Sequence, residues 1–130
     1  HVEPTGLEPG RPYWYRFRCG QATSATGRTA TAPPSASPLA RLRIDTGSCQ
    51  QYEHGYYAAY RQVAADPPDL FLHLGDYIYE LTWGQNLVRH HDAPECYTLD
   101  DYRIRHALYR LDPDLQAAHA ACPWLFTWDD

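Results

Sequence analysis

Apolar and polar side chains alternate along Tyr13-Trp14-Tyr15-Arg16-Phe17-Arg18-Cys19, with Tyr13, Tyr15, Phe17 and Cys19 on one side and Trp14, Arg16 and Arg18 on the other. A period of two predicts a half-buried strand. Turn residues at 6–10 precede it, and residues 23–31 predict a turn and a second strand. From Leu42 and Ile44 a further strand runs into Gly47-Ser48-Cys49. Residues 55–65 place Tyr56, Tyr60 and Val63 at helical spacing, and Pro67-Pro68 ends that helix. Leu70-Phe71-Leu72-His73-Leu74 is almost continuously apolar, as in a strand buried on both faces, and delivers Gly75-Asp76. An irregular insertion over 82–97 follows. Thr98 and Asp101 form a capping-box pattern that starts a helix with Leu99, Tyr102, His106 and Tyr109 on one face. Asp112-Pro113 reads as N-cap and first position of the next helix, which ends near Pro123. Residues 124–128 predict a last apolar strand, closing on Asp129-Asp130.

The order strand, helix, strand, loop, helix, helix, strand predicts an α/β unit with a partly parallel sheet over 39–130. Residues 1–31 read differently. The spacing Leu7-x-Pro9-Gly10-x-x-Tyr13 resembles the entry to a late strand of an immunoglobulin-like or fibronectin-like β-sandwich. An isolated hairpin is marginal in water, so its partner strands are expected upstream. Residues 32–38 hold three prolines, which suit a semi-rigid linker and mark the domain boundary.

Composition changes this picture only at its margins. The chain of 130 residues carries a net charge of −5, which disfavours general nucleic-acid binding. No apolar run approaches the roughly 18 residues of a membrane span. There is no Met and no signal-peptide pattern, and both ends read as cut, as in an internal piece of a longer protein. The cysteines at 19, 49, 96 and 122 make no Cys-x-x-Cys pair, and their connectivity is open.

The predicted strands end in Cys49, in Asp76 and in Asp129-Asp130, and open α/β sheets bind ligands at the carboxyl ends of their strands. A carboxylate at Asp76 is costly to bury unless paired or metal-bound; a helix cap or turn is the plainer reading. Tyr79 offers a hard phenolic oxygen or simple packing. Cys49 suits a thiolate ligand, a buried small hydrophobe, or a nucleophile partnered by His54 or His73. Asp129-Asp130 offers oxygens for a hard cation or a solvated turn. His90-His91-Asp92 reads as a metal-binding group or an exposed loop patch. Arg103, Arg105 and His106 read as phosphate contacts or a solvated helix face.

Ser48-Cys49-Gln50, Gly55-Tyr56-Tyr57-x-x-Tyr60-Arg61, His73-Leu74-Gly75-Asp76-Tyr77-Ile78-Tyr79-Glu80, Thr98-Leu99-x-Asp101-Tyr102-Arg103-x-Arg105-His106-Ala107-x-Tyr109, Asp114-Leu115-Gln116-x-x-His119-Ala120 and Trp128-Asp129-Asp130 together resemble the alkaline phosphatase D (PhoD-like) family. The resemblance runs from about residue 6 to residue 130. It implies the N-terminal half of a calcineurin-like metallophosphatase core, a β-sandwich wrapped by helices, preceded by the end of that family's β-sandwich domain. It implies Fe3+ held by Cys49, Asp76 and Tyr79, with Asp76 bridging to Ca2+. Asp130 takes a further ligand position, and the expected catalytic His follows it. The implied chemistry is hydrolysis of phosphomonoesters and phosphodiesters by a monomer exported through a twin-arginine signal, hence secreted, periplasmic or on the cell surface.

Two other classes compete: a cell-surface binding module built on the β-sandwich with a vestigial catalytic portion, and a Cys-dependent hydrolase. A pure binding module has no need of Cys49, Asp76, Tyr79 and Asp130 together. The 130-residue piece alone is expected to be inactive and poorly stable.

Overall fold

Alternation over residues 13–19 does produce strand, though in two pieces. In this computed structural model, which describes residues 2–128, β1 (Pro12–Tyr15) pairs antiparallel with β4 (Gly27–Ala30), and β2 (Arg18–Cys19) with β3 (Ala22–Thr23). The break falls at Arg16-Phe17. There the Phe17 N–H donates to Ser24 Oγ at 2.8 Å while the Ser24 N–H donates to the Phe17 carbonyl at 2.9 Å. A side-chain acceptor replaces the next ladder carbonyl, so pairing stops and restarts. Burial does not follow the alternation: Phe17 and Trp14, on opposite sides, are both more than half exposed. Gly27 has a local reason. A Cβ there would fall 2.4 Å from Cζ of Tyr15, whose ring lies across it.

β5 (Ile44–Gly47), β6 (Leu70–His73) and β7 (Trp124–Phe126) form a parallel sheet in that order. The register aligns Asp45 with Phe71 and Trp124, and Gly47 with His73 and Phe126. This face meets the helices: Phe71 stacks on Trp124 at 4.0 Å, and Tyr60, Tyr77, Leu115 and Ala118 complete the core around it. The opposite face carries Ile44, Leu70, Leu72 and Leu125 and is only partly covered; Ile44 and Leu125 are exposed. The expectation of a strand buried on both faces therefore holds for one face of β6 within this chain.

The helices differ from expectation in extent and in face. Only α1 (Tyr60–Ala65) forms where a helix over 55–65 was expected. Gly55 is extended, a single 3-10 turn occupies Tyr52–His54, and Tyr56 points to solvent. Tyr57 is drawn inward instead, donating to the Gln50 carbonyl at 2.7 Å. α2 (Leu99–Tyr109) begins with the expected capping box, Thr98 and Asp101 bonding reciprocally. Of the expected face, Leu99 and Tyr102 are exposed, His106 is half-buried and Tyr109 is buried, and Arg105, which that face did not include, is buried beside Tyr109. α3 (Pro113–Ala121) starts as expected, Asp112 Oδ1 accepting from the Asp114 and Leu115 amides. α1 and α3 pack together on the covered face of the sheet. β7 stops at Phe126, short of the strand expected to 128, and Trp128 is exposed. The four cysteines are free thiols; Cys96 and Cys122 are buried. Among the described residues no helix is long and apolar enough to cross a membrane. The chain is thus a mixed α/β fold with a parallel sheet, as its element order indicated.

Candidate metal centre

The loops that leave β5 and β6 run side by side beyond the sheet. The Leu74 amide donates to the Gly47 carbonyl at 2.8 Å, the Cys49 amide to Gly75 at 3.3 Å, and the Gln50 amide to Asp76 at 3.2 Å. These bonds bring Cys49 and Asp76 into adjoining positions. Both residues adopt left-handed backbone, with φ of 55° and 54°. That region disfavours side chains other than glycine, and such strain persists only where surroundings over-determine it. Gly75, at φ 107°, supplies the freedom the turn needs just before Asp76. Tyr79 then reaches back from the same loop, its hydroxyl donating to Asp76 Oδ2 at 2.6 Å.

The structure therefore unites three of the residues singled out from the sequence: a thiol, a carboxylate and a phenol. Burial, the Asp76 hydrogen bond and the neighbouring Cys49 thiol push the Tyr79 phenol well above its usual pKa. Cys49 is solvent-accessible, while Asp76 and Tyr79 are half-buried. The donor set matches a ferric ion: two hard oxygens, one of them phenolic, beside one thiolate. Asp76 also has the hard oxygens that a calcium ion takes. Among the described residues no three His, Cys, Asp or Glu side chains form a cluster; the grouping here is Cys49 and Asp76 with the phenol of Tyr79. Asp129 and Asp130 lie outside the described residues.

The other residues singled out fall elsewhere. His54 Nε2 lies 3.0 Å from the Trp83 carbonyl. His73 is fully buried among Tyr77, Trp124 and Phe126, and among the described residues neither ring nitrogen has a hydrogen-bond partner. Burial lowers its pKa against the opposing pull of Asp76. The pairing of Cys49 with His54 or His73 expected of a nucleophile is therefore not what these two rings make. Of His90-His91-Asp92, expected as an exposed patch, His91 is buried. Arg103 is a solvated residue paired with Asp100 at 3.1 Å. Arg105, which reads from the sequence as a phosphate contact or a solvated residue, is in the core at 2% exposure. His106 stacks on Tyr77 at 5.8 Å.

Behind the three donors lies a polar core that the sequence pattern does not announce. Arg105 donates to the Tyr79 and Glu80 carbonyls, and Tyr109 accepts from the Tyr79 amide. The insertion is fastened by Arg89, which donates to the Tyr52 and Gly55 carbonyls and pairs with Asp112 at 2.7 Å. The His91 amide donates to Glu53 Oε1 at 2.9 Å. One signal does exist: Asp101, Arg105 and Tyr109 recur every four residues on α2, marking a polar stripe at core spacing.

Fold and site together define an α/β protein with a parallel sheet whose adjoining strand-end loops gather a thiol, a carboxylate and a phenol. Residues 44–130 match the family model of PhoD-like phosphatases, and residues 1–33 that of the PhoD-like phosphatase N-terminal domain. The chain belongs to the PhoD-like phosphatase family. It is 50% identical, over 137 aligned residues, to alkaline phosphatase D of Bacillus subtilis (strain 168), an alignment spanning 100% of this chain and 23% of that protein. A solved structure of PhoD matches with a TM-score of 0.93 at 50% identity, covering 100% of this chain and 26% of that one. The chain thus spans about a quarter of the length of these relatives.

Proposed function

We propose that this chain supplies part of the active site of a metal-dependent phosphoester hydrolase acting on phosphomonoesters and phosphodiesters. The observation that carries this reading is the convergence of Cys49, Asp76 and Tyr79 at adjoining strand ends, in a chain of the PhoD-like phosphatase family. Cys49, Asp76 and Tyr79 would hold Fe3+, and Asp76 would bridge to Ca2+, with Asp130 as a further ligand. Such a pair of ions supplies Lewis acidity toward a phosphoryl oxygen and a water nucleophile at neutral pH. The chain's own contribution is to bring the three donors together in the loops just past two adjoining strands, with Cys49 and Asp76 held in strained backbone. Before an ion enters, the Tyr79 proton rests on the hydrogen bond to Asp76, and ligation requires its loss.

The domain reading accompanies this proposal. Residues 39–130 form the first half of a calcineurin-like core, residues 1–31 end a β-sandwich domain, and residues 32–38 link them. The partly covered face of Ile44, Leu70, Leu72 and Leu125 supports a core in which a second layer packs on that side. The protein is taken as a monomer exported through a twin-arginine signal, and the 130-residue chain alone as inactive.

Substitution Cys49→Ser in the complete gene product tests the reading. Ligation predicts loss of bound iron, of its visible charge-transfer colour and of phosphatase activity together. Retained iron with lost activity would instead make Cys49 a nucleophile.

A further inference from the structure

Tyr109 is fully buried on α2, and its hydroxyl touches both loops that carry the donor residues. From the loop after β5, the Tyr52 amide donates to it at 3.3 Å, and Gln51 Oε1 accepts from it at 2.8 Å. From the loop after β6, the Tyr79 amide donates to it at 3.1 Å. Its fourth neighbour, at 3.1 Å, is His91 Nε2 in the insertion. Four residues earlier on the same helix, Arg105 Nη1 donates to the Tyr79 carbonyl at 2.5 Å and the Glu80 carbonyl at 2.8 Å. The same nitrogen lies 3.0 Å from His91 Nδ1. The backbone of Tyr79 is thus gripped at its N–H and at its C=O by α2.

Packing accounts for the Tyr109 ring, which lies against Tyr52 at 5.3 Å and Tyr57 at 6.3 Å. It does not account for the hydroxyl, since phenylalanine fills the same space. What the hydroxyl adds is a fixed distance between two loops, one carrying Cys49 just ahead of Gln51, the other carrying Tyr79 itself. Strained backbone at Cys49 and Asp76 needs such bracing to persist.

We propose that Tyr109, backed by Arg105 and His91, is a positioning residue that sets the spacing between the Cys49 thiolate and the Tyr79 phenolate, and so the strength with which a ferric ion is held. The proposal rests on the metal reading given above. Tyr109 is fully buried and acts through Gln51 and the backbones of Tyr52 and Tyr79. Partners behind metal ligands typically change affinity or activity by roughly 10- to 100-fold when removed.

The test uses the complete gene product loaded with Fe3+, comparing wild type, Tyr109→Phe and Tyr79→Phe. Three readouts apply: the visible charge-transfer maximum, iron retention against a chelator, and thermal unfolding. Tyr109→Phe is expected to shift the absorption maximum and to weaken iron retention roughly 10- to 100-fold. Tyr79→Phe is expected to abolish the phenolate part of the band. A Tyr109→Phe protein with wild-type absorption and retention, changed only in unfolding temperature, assigns the hydroxyl to stability alone and overturns the proposal. A visible spectrum left unchanged by Tyr79→Phe overturns the metal reading, and the proposal falls with it. If Tyr109→Phe does not fold, Arg105→Lys takes its place, since it keeps the charge but loses the two-carbonyl grip. A shifted band and weaker retention in Arg105→Lys support the proposal, and wild-type values for both overturn it.

Discussion

At the scale of single residues, the chain invests charge where little water reaches. Arg89 is the clearest case. Its guanidinium bonds the Tyr52 and Gly55 carbonyls and Asp112, and lies 3.8 Å from the Tyr52 ring centroid and 4.6 Å from that of Tyr57. The Arg89 and Asp112 side chains are 9% and 3% exposed. Removing one partner of such a pair strands the other charge, an effect of about 3–5 kcal/mol. Arg89→Met is therefore expected to lower stability by about that amount, measured as a fall in urea midpoint at constant slope. Adding Asp112→Asn removes the stranded charge while Oδ1 still caps α3, so the double variant should be more stable than Arg89→Met alone. A double variant no better than the single one would mean that the pair is not what Arg89 contributes.

At the scale of elements, the sequence is legible where signals are short-ranged. The capping box at Thr98 and Asp101, the Asp112-Pro113 start and the apolar run of β6 each lie within a few residues of what they specify, and each element begins where expected. Legibility fails where distant partners decide. Tyr56 and Tyr57 look alike locally, but only Tyr57 finds the Gln50 carbonyl, so the helix starts late and Tyr56 faces water. Arg105 resembles a surface residue because its acceptors, the Tyr79, Glu80 and Pro94 carbonyls, lie 26, 25 and 11 positions away in segments that have no regular pattern. The break between β1 and β2 comes from a Ser24 hydroxyl that the alternation does not encode. Of the candidate site, the identities of Cys49, Asp76 and Tyr79 are readable from motif and strand end. The left-handed backbone at Cys49 and Asp76 is not, because neither is a glycine. The brace from Tyr109 is hidden as well, since its partners Gln51 and Tyr52 are 58 and 57 residues away.

At the scale of the molecule, the core over the covered face of the sheet and under the insertion holds histidine rings that are kept neutral. Burial lowers the pKa of His73, His91 and His106, and takes His119 down to about 3. His119 stacks on Trp124 at 3.9 Å, and its Nε2 lies 2.8 Å from the Tyr77 hydroxyl. Between about pH 6.5 and 3 the unfolded chain binds protons at this position that the folded chain refuses, so stability must fall as pH falls through that window. Each such histidine adds a slope of at most about 1.4 kcal/mol per pH unit. Denaturation measured from about pH 7.5 to 4, across that window, is expected to show this decline, and His119→Gln should make it shallower by up to one proton. A slope unchanged by His119→Gln would place the acid sensitivity elsewhere.

The chemistry of the centre turns on where an ion sits. The direct measurement is anomalous X-ray diffraction at the iron edge from crystals of the complete gene product. The expected map has an iron peak bonded to Cys49 Sγ, a carboxylate oxygen of Asp76 and the phenolic oxygen of Tyr79. An iron peak elsewhere, or an intact Tyr79–Asp76 hydrogen bond in an active enzyme with no metal between Cys49 and Tyr79, would rule that centre out.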